Sequence, residues 1–298
     1  MKNFKLKGFH DLELNCYIFE PEKKAKACIQ IIHGMEEHQE RYEPLASYLN
    51  SLGYVVVTSN MRGHGDDAPL LGFFKEKKGY LELLEDQKAI TRYIKERYKT
   101  EKVIILAHSM GTIITRNLLM TESKGYEKVI LSGYPCPQSA ASMGIVLASL
   151  VSLFRGPKYY SKLLEDIAIG SFNKSVKNPR TNFDWLSYNE ENVDNYIADP
   201  YCGHGFKVSA LNDLFHLVKH MAKPKLYKDV NKELPILLIR GEEDPCTGFE
   251  KGSLKAREIL KKAGFTNLKD IKYSKMRHEI FNEKEKEKVF FDIRDFLN

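Results

Sequence analysis

The strongest constraint on this chain is an alternation of short apolar runs with amphipathic stretches, sustained from residue 27 to residue 132. Ala27 to Ile32, Tyr54 to Thr58, Val103 to Leu106 and Lys128 to Ser132 are runs of buried-strand length. Between them, Tyr42 to Leu52, Tyr80 to Tyr98 and Thr112 to Met120 repeat apolar residues at helical spacing. Parallel strands are buried on both faces and joined by helices, so the pattern predicts an α/β chain with a mostly parallel sheet flanked by helices. Phe4 to Phe9 and Leu12 to Phe19 read as an opening hairpin around His10-Asp11. The next convincing strand does not begin until Leu234, although a crossover needs only about a dozen residues plus its helix. Most of 134–205 is therefore surplus to the sheet. It reads as a helical cap inserted before that strand, leaving 1–133 and 206–298 as the core.

Three reactive side chains fall just beyond predicted strands. Ser109 lies in Ala107-His108-Ser109-Met110-Gly111, between a buried-strand run and a helical one, so it occupies a strand-to-helix turn. Such a turn exposes the serine oxygen and aims free helix N–H groups at the same spot. The usual pattern is Gly-x-Ser-x-Gly; here Ala107 stands in place of the first glycine. Asp244 lies in Gly241-Glu242-Glu243-Asp244-Pro245, after the run Leu234 to Arg240. Glu242 and Glu243 are alternatives to it, and Pro245, which stiffens the turn, favours Asp244. His278 is the only one of nine histidines that follows Asp244. It lies between strand-like Leu268 to Tyr273 and an amphipathic stretch from Glu283 to Leu297. The order nucleophile, acid, base is that of a Ser-His-Asp triad on an α/β-hydrolase sheet, so these residues imply a serine hydrolase. The remaining requirement is a pair of backbone donors for an oxyanion. Met110, after the serine, supplies one, and Met35, in the turn His33-Gly34-Met35-Glu36-Glu37-His38, is the best choice for the other.

The chain also resembles the monoacylglycerol lipase and lysophospholipase-like group of α/β-hydrolases, related to the serine-aminopeptidase-like domain. The resemblance rests on His33-Gly34-Met35 with His38 and Arg41-Tyr42, Arg62-Gly63-His64-Gly65, and His108-Ser109-Met110-Gly111. It continues through Phe183 to Ser187, Asp199 to Gly203, Gly241 to Pro245 and Arg277-His278-Glu279. It implies Ser109, Asp244 and His278 as triad, Met35 and Met110 as oxyanion donors, and a small-molecule ester as substrate, such as a monoacylglycerol or lysophospholipid. Asn60 and Asp67 depart from the family pattern, which often has Asp and a small Ser there. A peptidase of the aminopeptidase type is a rival on the same fold and would need cap carboxylates, such as Glu165-Asp166 or Glu190-Glu191, to hold an α-amine. A catalytically silent ligand-binding protein is a rival of a different class.

Composition narrows the partners. The 298 residues carry a formal charge of +6, with lysines interspersed among glutamates as on solvated helix faces. There is no aromatic-interleaved basic patch for nucleic acid, but mild attraction to an anionic membrane surface is compatible with the charge. No glycine loop of phosphate-binding type is present, and no cofactor is expected. His216 and His220 share a helical spacing but lack further ligands, so no metal is expected. Five cysteines without CxxC pairing, and an N-terminus lacking the apolar core of a signal peptide, suggest a cytoplasmic protein. In the cap, Met143, Leu147, Leu150 and Phe154 share one helical face and are assigned to an acyl-binding wall, with a membrane-contact face or the cap's own core as alternatives.

Overall fold

The computed structural model describes residues 1–137 and 140–298. The described residues form one sheet of eight strands: β1 (Lys2–Lys7), β2 (Glu13–Phe19), β3 (Cys28–Ile32), β4 (Val55–Ser59), β5 (Val103–His108), β6 (Tyr126–Ser132), β7 (Ile236–Gly241) and β8 (Leu268–Tyr273). Their spatial order is β1-β2-β4-β3-β5-β6-β7-β8. The opening hairpin is antiparallel and β2 also runs antiparallel to β4, while every pairing from β4 through β8 is parallel. The expected mostly parallel sheet is present.

Strand alternation divides the core in two. Val103, Ile105 and Ala107 of β5 point to one face, Ile104 and Leu106 to the other, and all five are buried. The first face is covered by α2 (Gly79–Tyr98), α3 (Met110–Glu122), α7 (Val208–Met221) and α8 (Phe249–Lys262), the second by α1 (Glu43–Ser51) and α9 (Lys286–Leu297). Each fully buried Ile, Val or Leu contributes roughly 1.5–3 kcal/mol, so the two faces supply the main driving force for this chain. The last helix begins at Lys286 rather than Glu283. Glu283 is buried instead, accepting from Ser187 Oγ at 2.8 Å and from the Tyr188 and Arg277 N–H groups at 3.0 and 2.9 Å. A carboxylate so engaged belongs to a loop, not to a helix face.

Between β6 and β7 lie α4 (Ala141–Arg155), α5 (Lys162–Ala168) and α6 (Glu190–Ala198), with short turns between them, before the chain returns to the core in α7. Helix α4 packs on α7 through its small residues. Ala141, Gly144 and Ala148 are buried, and a Cβ on Gly144 would lie 2.8 Å from the Phe215 ring. That close approach leaves Met143, Val146, Leu150, Leu153 and Phe154 outward, while Ile145, Leu147 and Val151 pack on the core.

Candidate active site

Parallel pairing places the reactive residues at one edge. His108 of β5 pairs with Ser132 of β6, and Ser132 O accepts from Ser109 N–H at 2.9 Å, holding the turn at the carboxyl end of the sheet. Ser109 has φ 50° and ψ −118°, a conformation that L-residues rarely adopt. Gly111 makes the turn possible, since a Cβ there would lie 2.2 Å from the Ile32 carbonyl oxygen. Ala107, in the position usually held by glycine, is accommodated fully buried within β5.

Ser109 Oγ lies 2.8 Å from His278 Nε2, and His278 Nδ1–H donates to Asp244 Oδ2 at 3.0 Å. The second Asp244 oxygen accepts from Cys246 N–H at 2.8 Å. Tyr188 Oη–H donates to the Glu243 carboxylate and Lys272 pairs with Glu242, so neither alternative acid meets the histidine. Burial lowers the His278 pKa, but the Asp244 carboxylate and its hydrogen bond, with Glu279 and Glu37 nearby, outweigh it and hold the imidazole above its ordinary value. The neighbouring His108 is driven the other way, by burial and then by His278, and stays neutral.

Met110 opens α3, so its N–H is one of the first-turn donors without a helical acceptor. The loop bearing Met35 lies against the serine, since a Cβ on Gly34 would be 3.1 Å from Ser109 Cβ. Met35 and Met110 both border the cavity over Ser109.

This loop is held by a buried polar network in which Glu37, Arg41 and Glu279 had no assigned role in the sequence reading. Glu37 accepts from Gly34 N–H at 2.5 Å and from Tyr42 Oη–H at 2.7 Å. Arg41 donates to Glu37 at 2.9 Å and forks onto both oxygens of Glu279 at 2.7 Å. Asn192, on α6, donates to Glu279 at 2.7 Å. Burial raises the Glu279 pKa, but Arg41 outweighs it and holds that carboxyl well below the usual range, whereas burial keeps Glu37 high. The network joins the Met35 loop, the His278 loop and α6. Its one sequence signal was the i,i+4 spacing of Glu37 and Arg41.

The Asn60 and Asp67 departures compensate each other. Asn60 Oδ1 accepts from Gln39 N–H at 3.0 Å and its amide faces Asp67 at 3.4 Å. His38, Asp199 and Cys202 are mutually close, but both His38 nitrogens already face carboxylates, Glu40 at 2.5 Å and Asp199 at 2.7 Å, so no lone pair is left for a metal.

The cavity over Ser109 is predominantly apolar. Ile113, Leu214, Phe215 and Val218, from α3 and α7, form one side, and Ile169, Phe172 and Trp185, from the stretch between α5 and α6, the other. The acyl-wall assignment of Met143, Leu147, Leu150 and Phe154 is therefore corrected. Met143, Leu150 and Phe154 are 63%, 49% and 79% exposed, and Leu147 packs on the core cluster; none of the four borders the cavity.

The architecture agrees with comparisons to known proteins. The family model described as serine aminopeptidase, S33, matches residues 23–285. The chain belongs to this family. Human monoglyceride lipase is 28% identical over 262 residues, covering 83% of this chain and 75% of that one. The monoacylglycerol lipase of Mycolicibacterium smegmatis is 23% identical over 94% of this chain and 91% of its own. A carboxyl esterase from Bacillus coagulans, solved in complex with glycerol, superposes with a TM-score of 0.92 at 23% identity, covering 100% of this chain and 97% of that one. No helix among the described residues is long and apolar enough to cross a membrane.

Proposed function

We propose that this S33-family protein hydrolyses carboxylic esters, lipid-derived monoesters such as monoacylglycerols or lysophospholipids, through an acyl-enzyme on Ser109. The observation that carries this is the unbroken contact from Ser109 Oγ through His278 to Asp244 at the mouth of an apolar cavity. His278 Nε2 takes the serine proton as Oγ attacks the ester carbonyl, and Asp244 steadies the imidazolium. Met35 and Met110 N–H groups receive the negative charge on the carbonyl oxygen, each worth roughly a hundred- to thousandfold in rate. The imidazolium protonates the departing alkoxide. Water, deprotonated by the same nitrogen, then attacks the acyl-enzyme and regenerates Ser109.

The acyl chain occupies the apolar cavity beneath a cap comprising 134–205. The outward apolar residues of α4 support a second assignment, transient contact with an anionic lipid surface. Met143, Leu150, Leu153 and Phe154 are exposed there, with Arg155 and Lys158 following in sequence. Five free thiols suit a reducing compartment, and we place the protein in the cytoplasm. The test is covalent labelling with a fluorophosphonate. Modification should map to Ser109 and vanish with hydrolysis in Ser109→Ala; labelling retained in that variant removes the assignment.

A further inference from the structure

Beside the catalytic cavity lies a second chamber of about 460 Å³, and Glu36, Ile169, Phe183 and Trp185 border both. The first cavity is apolar and suits an acyl chain. The second is more polar, lined among others by Tyr160, Lys162, Glu165, Asp166 and His204. Carboxyl groups outnumber cations there: Glu36, Glu165 and Asp166 share the chamber with Lys162, which already pairs with Asp166 at 3.0 Å.

Glu36 stands apart within this chamber. Its side chain is buried, and its Oε1 meets no hydrogen-bond donor among the described residues. Its backbone is left-handed at φ 55°, a region where glycine is at ease and glutamate is strained. The cap holds it there, since Glu36 O accepts from Tyr196 Oη–H at 3.0 Å and from Gly203 N–H at 3.1 Å. A strained residue with an orphaned buried oxygen costs the fold stability, and the triad uses neither feature. Glu36 also directly follows Met35, so it stands beside the point where the ester carbonyl would be held.

Resting on the ester-hydrolase reading above, we propose that Glu36 selects esters whose alcohol carries an ammonium group, the cation seated against Oε1 in the polar chamber. Burial, with Glu165 nearby, pushes the Glu36 carboxyl up to about 8. At neutral pH it holds a proton, which an ammonium brought beside it displaces.

The test compares 2-(dimethylamino)ethyl butyrate with its uncharged isostere, 3-methylbutyl butyrate, at neutral pH. The ratio of their kcat/KM values is measured for the unaltered protein and for Glu36→Gln, so that intrinsic differences in ester reactivity cancel. Losing a hydrogen bond between charged groups should lower the ratio roughly tenfold or more. Glu36→Gly, which suits the left-handed backbone, should lower it equally and serves if the glutamine variant folds poorly. In the unaltered protein, 2-(dimethylamino)ethanol should inhibit at lower concentration than 3-methylbutanol. An unchanged ratio, or the reverse inhibition order, overturns the role of Glu36 while turnover of the neutral ester upholds ester hydrolysis. Failure to turn over either ester overturns both.

Discussion

Glu279→Gln removes one charge from the buried network while keeping the side chain's size. In the native protein both carboxylate oxygens are engaged, by the two Arg41 nitrogens at 2.7 Å and by Asn192 at 2.7 Å. An amide offers one acceptor and turns an NH₂ toward groups that are themselves donors. Breaking a buried pair by removing one partner costs about 3–5 kcal/mol, and Arg41 keeps Glu37, so about 3 kcal/mol is expected. With a urea m-value of about 3 kcal/mol/M for a chain of this size, the unfolding midpoint should fall by about 1 M. Adding Arg41→Met should cost less than the sum of the single changes by at least about 1 kcal/mol, since the neutral pair leaves no stranded guanidinium. Because Glu279 is held below its unfolded pKa, its contribution is present above pH of about 4 and fades as pH falls further, so the acid sensitivity of the variant should be shallower. A midpoint shift below about 0.3 M, or full additivity with Arg41→Met, would refute this account of the network.

Three further outcomes follow from the site. Asp244→Asn should lower kcat by several orders of magnitude, as expected when a triad histidine loses its orienting acid, whereas Glu243→Gln should change it little; steady-state rates on a soluble ester decide between them. The acid limb of kcat/KM should have its midpoint above the ordinary histidine value of about 6.5, because a His278 held high is protonated, and unable to accept the serine proton, up to a higher pH; a midpoint below 6 contradicts the assigned environment. Phe215→Ala or Val218→Ser should flatten the dependence of kcat/KM on acyl length, while Leu150→Ser and Phe154→Ser should leave it unaltered for monomeric esters; a chain-length series read in detergent-free buffer separates the two surfaces.

The legible parts of this molecule were those governed by local periodicity. Continuous apolar runs announced the buried strands, and the strand-turn-helix around Ser109 followed from the switch between Ile104-Ile105-Leu106 and the helical spacing of Ile113, Ile114 and Leu118. The serial order of Ser109, Asp244 and His278 singled out three residues that the structure brings into contact, because only one histidine could come last. Pro245 already favoured Asp244 over Glu243; that Glu243 turns to Tyr188 instead of the histidine is a side-chain direction that no sequence pattern carries. Arg41 and Glu279 meet across 238 positions of sequence, a pairing that no local pattern contains. The misread face of α4 has a simpler cause. A helical wheel separates large from small residues but does not say which side is inside, and here Phe215 leaves room only for Gly144 and Ala148. Large apolar residues usually face a core; close helix approach reversed that preference.

The contacts from Tyr196 and Gly203 to the Glu36 carbonyl, and from Asn192 to Glu279, bear on how this enzyme could be re-engineered. Exchanging the proposed cap for that of a relative is an obvious way to change substrate range while leaving Ser109, Asp244 and His278 alone. Under the role proposed for Met35, such a transplant would also strip the props from its loop. A chimera lacking equivalents of Asn192, Tyr196 and Gly203 would lose rate even on an ester too small to touch the cap, and grafting these three back is the minimum repair.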